Sequence, residues 1–264
     1  MQFNNVLMII DMQNDFCMPD GALYIPGAEK DLQRTAGFIR ENGDYINHII
    51  LTQDNHQVVD ISHPSFWKDK QGNHPEPSTR ITAEDIEKEV WIPEFEVSRA
   101  KEYIRNLEKE GEFPHTIWPE HCIQGSRGAA IADIIMVRII EWARKGKHYD
   151  LIVKGTNPLT EHFGALRANI PDKKNPETQL NTDLLNTLRK FNNIFIAGEA
   201  RSHCVANTVK QLLEFRDIAN KIILLQDCMS DIPGMEHIAD PIYSKAKNAG
   251  VTFSKSRDIN LKIK

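Results

Sequence analysis

The chain has 264 residues, 41% hydrophobic and 26% charged, with a formal net charge of -5 and a pI near 6.1. That is the balance of an ordinary globular protein, and its acidity argues against nucleic acid or an anionic membrane as partner. The four cysteines (Cys17, Cys122, Cys204, Cys228) form no CxxC pair. MQFNNVLMIID carries no cationic region, and no apolar run is long enough to span a bilayer, so reduced thiols in the cytoplasm are expected.

Val6–Ile10 reads as a buried first strand ending at Asp11. The following MQNDFCMPDGALYIPGA reads as a loop, broken by Pro19, Gly21, Pro26 and Gly27. Ala28, Leu32, Ala36 and Ile39 then repeat at helical spacing, and Asn42-Gly43 closes that helix. His48–Thr52 is a second strand, followed by Gln53, Asp54, Asn55 and His56. From Lys68 to about Phe113 the strand–helix alternation lapses, so 68–113 is expected to be an insertion in a single domain spanning 1–264. Ala129–Lys145 reads as a strongly apolar helix. Tyr149–Val153 is a third strand ending at Lys154-Gly155, and Thr156–Gln179 has no clear period.

After a short helix over Asp183–Phe191 comes NNIFIAGEARSHCVANTVKQLLEF. Ile194–Ala197 is a buried strand, Gly198 permits a sharp turn, and Val205, Val209, Leu212 and Leu213 mark a helix. Lys221–Leu225 and Val251–Ser254 are further strands, and Pro241 must start, kink or break the helix over Gly234–Asn248. The alternation predicts an α/β fold: a three-layer arrangement of a mostly parallel sheet with helices on both faces. Ligands bind beyond the carboxyl ends of such strands, which gathers Asp11, Asp54, His56, Lys154 and Cys204 at one crevice.

Cys204 falls at a helix N-terminus, where free amides favour a thiolate and can hold an oxyanion. A carboxylate such as Asp11 can take the thiol proton and return it to a leaving amine, and the Lys154 ammonium would lower the thiol pKa. Taken singly, each has a plainer reading: a buried structural cysteine, a turn cap, a surface lysine. Asp54 and His56 point the same way along an extended segment, and with His63 and His121 they suit Zn, Mn or Fe. His74, His115 and His162 are read as ordinary surface polar groups.

MIIDMQNDF, TQDNH…HPSF, WPEHC, VKG and GEARSHCV, in that order, resemble the isochorismatase-like cysteine hydrolases, and among them the nicotinamidase branch. The resemblance covers the motif-bearing segments from Asn5 to about Gly234. It implies Asp11, Lys154 and Cys204 as a catalytic triad and Asp54, His56 and His121 as metal ligands, with His63 a possible fourth. It implies one divalent metal ion, zinc, with manganese or iron as alternatives, holding the pyridine nitrogen while the cysteine attacks the carboxamide. It further implies a cis bond between Glu199 and Ala200, oxyanion donors at Ala200 and Cys204, and apolar walls at Phe16 and Trp118. Glu199 and Arg201 depart from that family's turn, which usually has an apolar residue before the alanine and Thr-Asp after it; the departure bears on the substrate. The expected activity is hydrolysis of nicotinamide to nicotinate and ammonia. Another small amide or carbamoyl compound, water activated by the metal itself, or a non-catalytic binding role are the alternatives. The expected partners are a small-molecule amide and further copies of the chain as a homo-oligomer, with no nucleic acid and no membrane.

Overall fold

In the computed structural model, which describes residues 4–262, the strands in chain order are Asn5–Ile10 (β1), His48–Asp54 (β2), Trp67–Lys68 (β3), Ile92–Pro93 (β4), Tyr149–Lys154 (β5), Asn193–Gly198 (β6), Ile222–Leu225 (β7) and Thr252–Ser254 (β8). The start of the N-terminal segment, residues 1–3, lies outside the described residues. The helices are Asn14–Cys17 (α1), Ala28–Asn42 (α2), Ala83–Glu87 (α3), Val97–Lys109 (α4), Asp133–Ala143 (α5), Thr182–Arg189 (α6), Ala206–Leu212 (α7), Arg216–Ala219 (α8) and Asp240–Asn248 (α9).

Six strands form one parallel sheet in the order β5-β2-β1-β6-β7-β8. Every residue of β1 is buried, because helices cover both faces. Side chains alternate across a strand. Leu7 and Ile9 therefore pack with Leu32, Ala36 and Ile39 of α2 and Ile135 and Ile139 of α5. Val6, Met8 and Ile10 pack on the other face with Leu184 and Leu188 of α6, Val209 and Leu212 of α7 and Ile242 of α9. The three-layer α/β expectation holds.

Several local expectations need correction. Asn14–Cys17 is a helical turn, not loop; its amides reach the Gly128–Ala130 backbone through Asn14 and Asp15, at 3.0 Å each. The helix expected over Ala129–Lys145 is shorter, since Ala132 caps it in an extended-ψ conformation and Ala129–Ala132 instead runs alongside Met12 and Gln13. Pro241 starts α9, in the first turn where its missing N–H costs nothing. Within 68–113, α3 is closed by a Thr82–Asp85 capping box, and α4 turns Ala100, Tyr103, Ile104 and Leu107 inward. These meet Ile61, Phe66, Trp67, Ile81, Ile86 and Ile117 in a third apolar cluster, separate from the two that flank the sheet.

Candidate active site

Parallel strands end on one edge, and the register sets which ends adjoin. Asp54 pairs with Lys154, and Ile10 pairs with Gly198. Asp11 follows β1, Asp54 ends β2, Lys154 ends β5, and Cys204 lies in the π-helical turn Arg201–Val205 between β6 and α7. Two glycines let these ends close up. A Cβ on Gly198 (φ 140°) would stand 2.1 Å from the Ile10 carbonyl, and one on Gly155 (φ 77°) would stand 2.6 Å from the Asp54 carboxyl.

The Lys154 ammonium is 2.8 Å from Asp11 Oδ2, 3.0 Å from Asp54 Oδ1 and 3.8 Å from Cys204 Sγ. All four side chains are buried. Asp11 Oδ1 accepts the Thr52 hydroxyl at 2.5 Å, while Oδ2 faces the Lys154 ammonium. The structure thus brings together the three residues expected as a triad, with the Lys154 ammonium in reach of both the Asp11 carboxylate and the Cys204 sulfur.

Burial dominates the electrostatics. It pushes the Cys204 thiol well above its ordinary range, and Lys154 pulls it only part of the way back. The Lys154 ammonium thus lowers the thiol, as expected, while burial and the Asp11 and Asp54 charges raise it. Burial also raises Asp11, against the Lys154 charge, which makes it a stronger proton acceptor than an exposed aspartate. Burial alone would discharge Lys154, but Asp11 and Asp54 hold it firmly protonated.

Asp54, His56 and His121 form a second group whose ligand atoms all lie within 4.8 Å of one another. His56 Nε2 is 2.9 Å and His121 Nε2 3.7 Å from Asp54 Oδ2. Each imidazole uses Nδ1 elsewhere: His56 on the Asp60 carboxylate at 3.1 Å, His121 on the Pro119 carbonyl at 2.8 Å. That leaves both Nε2 atoms turned toward the same carboxylate oxygen, a donor set that fits a divalent ion. His63 stands just outside the group, its ring 5.3 Å from His56 and 5.4 Å from His121. Its Nδ1 meets the Val58 carbonyl at 3.1 Å, while Nε2 is buried without a partner. Desolvation and the neighbouring His121 charge lower His63 to about 4, so it is neutral and able to ligate. His121 comes from a distant loop, held here because His56 N–H donates to Cys122 O and Gln124 N–H to His56 O.

Phe16 is buried beside this group, its ring 5.4 Å from that of His121, and Trp118 is buried with its ring 5.2 Å from that of His203, the residue before Cys204. The Glu199–Ala200 bond is cis. Among the described residues the Ala200 N–H meets no backbone acceptor. Neither departure in the turn touches the triad. Glu199 accepts the Ser230 amide, and Arg201 makes two bonds to Asp231 and lies over the Tyr243 ring. Of the three histidines read as surface groups, only His74 is exposed. His115 is buried against Trp67 and Tyr103, and burial lowers it to about 4; His162 is half-buried with Nε2 unpartnered, and burial lowers it to about 3. The supporting residues Gln13, Thr52 and Asp60 escape a sequence reading. Gln13 brackets the Asp54 backbone with two bonds of 2.7 Å, and only the i,i+4 spacing of Asp60 from His56 offered a signal. A surface cavity of about 520 Å³ lies elsewhere, between α4 and the 157–174 passage, and includes none of the triad.

No protein-family model matches the chain. It is 24% identical over 210 residues to a nicotinamidase of Saccharomyces cerevisiae, covering 76% of this chain and 78% of the relative. Its fold matches that of the yeast nicotinamidase solved with the inhibitor nicotinaldehyde, with a TM-score of 0.67, 18% identity and coverage of 95% and 99% of the two chains. It also matches a pyrazinamidase of Pyrococcus horikoshii solved in complex with zinc, with a TM-score of 0.56, 20% identity and coverage of 96% and 99%.

Proposed function

We infer that this chain belongs to the nicotinamidases of the isochorismatase-like hydrolases and cleaves nicotinamide to nicotinate and ammonia. The observation that carries the reading is the buried Asp11–Lys154–Cys204 cluster sharing Asp54 with an Asp-His-His ligand set.

Asp11 Oδ2 takes the thiol proton, and the sulfur attacks the carboxamide carbon. The oxyanion that forms faces the Ala200 and Cys204 amides. The C–N bond then breaks, the nitrogen takes the proton from Asp11, and ammonia leaves a thioester on Cys204. Water attacks that thioester, giving its proton to Asp11, and Asp11 returns it to the sulfur as the acid departs. Lys154 stays charged throughout and keeps Asp11 from binding its proton too tightly. With Asp11 as the acceptor of the thiol proton, proton transfer and attack are linked, and turnover needs no standing thiolate.

Asp54, His56 and His121 would hold the metal, with His63 as the candidate fourth ligand. When bound, a zinc ion supplies a Lewis acid for the ring nitrogen. Phe16 and Trp118 would flank the ring. Residues 68–113 are read as an insertion in one hydrolase domain. The four unpaired, buried cysteines suit a reducing compartment, and outward-facing Tyr149, Leu151 and Val153 on edge strand β5 suit assembly with further copies.

The test is ammonia release from nicotinamide by purified protein, against a panel of other small amides and carbamoyl compounds. Turnover of nicotinamide in preference to the panel is expected. No ammonia from nicotinamide, with turnover of a carbamoyl compound, would move the assignment to that substrate class.

A further inference from the structure

Behind the turn that carries Cys204 lies a pair of buried carboxyl groups outside the triad and the ligand set. Glu199 is 0% exposed and Asp31, from α2, is 2% exposed. Glu199 Oε2 accepts the Ser230 amide at 3.1 Å, and Asp31 Oδ2 accepts the Ser230 hydroxyl at 2.5 Å. Asp31 Oδ1 accepts from Arg34 at 2.8 Å. Glu199 Oε1 is buried and meets no donor, and Ser230 bridges the two carboxyl groups, its amide on Glu199 and its hydroxyl on Asp31. Two buried carboxylates held on one serine, with Arg34 alone bonded to the pair as a cation, repel each other unless one keeps a proton.

We propose that Glu199 and Asp31 share one proton, and that this O–H···O bond makes Glu199 a positioning residue for the oxyanion amide of Ala200. The proposal rests on the hydrolase reading given above. The bond ties α2 to the residue preceding Ala200. Ser230 joins the same brace, since its carbonyl accepts the Arg201 amide at 2.8 Å. The surroundings favour one retained proton. Arg34 alone faces the pair from α2 as a cation; Asp231 adds negative charge beyond Ser230, Arg201 is committed to Asp231, and Cys17 and Tyr243 pack nearby as neutral groups. In keeping with this, burial and then the Asp31 charge hold Glu199 well above the usual carboxyl range. When the shared proton leaves at alkaline pH, two adjacent buried anions repel and the brace on Ala200 opens.

Three measurements test this. Glu199→Gln keeps an N–H donor toward Asp31 and a C=O acceptor for the Ser230 amide, but has no proton to lose. It should retain more of kcat at neutral pH than Glu199→Ala does and lack the alkaline inflection of the wild-type kcat profile. Glu199→Ala should lower kcat roughly 10- to 100-fold with little change in KM, because the acceptor is misplaced rather than the substrate. Infrared spectra of wild type should contain the C=O stretch of a neutral buried carboxyl that is missing in Glu199→Gln. Unchanged alkaline behaviour in Glu199→Gln, or the same infrared band in both proteins, would overturn the proposal. If Glu199→Ala does not fold, the glutamine variant and the infrared band decide. If wild type turns over no amide, the infrared band still tests the shared proton, so the two readings fail separately.

Discussion

At the scale of single residues, the account turns on what a buried ion pair does when broken. Lys154 bridges Asp11 and Asp54, and among the described residues it is the one salt-bridge partner of Asp11. Lys154→Met should abolish turnover and cost roughly 3–5 kcal/mol of stability, read by denaturant unfolding, because the buried Asp11 carboxylate loses its counter-ion and Asp54 loses one of its partners. A variant as stable as wild type would contradict the geometry. Asp60 orients His56 through Nδ1, so Asp60→Asn should weaken metal binding by about 10- to 100-fold while the protein stays folded, as followed by metal titration. Unaltered affinity would remove Asp60 from the site. The triad and the Asp-His-His set were legible in the sequence because each residue follows or ends a buried strand, or sits in a polar motif of unusual composition. Thr52 and Gln13 were not. They act through bonds to chain 41 residues away, and nothing in their local pattern distinguishes a threonine inside a strand from a packing residue. The burial that raises the Cys204 thiol was not legible for a related reason: a helix terminus is visible in sequence, whereas complete burial is a property of the assembled fold.

At the scale of elements, the parallel strands were read within two residues of their ends, since continuous apolar runs bounded by polar residues have few other solutions. Within 68–113 the packing was not legible, though the charged stretch 83–110 reads as partly helical by composition and holds α3 and α4. Its elements are short, and its buried positions find partners outside the segment in Ile61, Phe66 and Ile117. Ile104 is fully buried there, and Ile104→Ala should destabilise the protein by about 2–5 kcal/mol in chemical unfolding. A change under about 0.5 kcal/mol would mean that this cluster is not packed. His115 belongs to the same region. Burial holds it neutral in the fold, at about 4 against an unfolded value of 6.5. Below 6.5 the unfolded chain binds a proton that the folded chain does not. Stability therefore falls as pH drops from about 6.5 toward 4, by up to about 3 kcal/mol from this group. His115→Gln should flatten that acid slope, and an identical slope would show that His115 is solvated.

At the scale of the whole molecule, the sheet places an acid, an ammonium and a sulfur on one edge, supplied by three separate strands. Helices on both faces keep water from them. That arrangement makes a covalent thioester the natural intermediate, and it can be observed directly. Rapid quenching of the protein with nicotinamide, followed by peptide mass spectrometry, should find the nicotinoyl group on the Cys204 peptide, formed in step with ammonia, and absent in Cys204→Ala, whose turnover falls by roughly a thousandfold or more. Ammonia released at the wild-type rate by Cys204→Ala, with no acyl group on the wild-type peptide, would contradict the account.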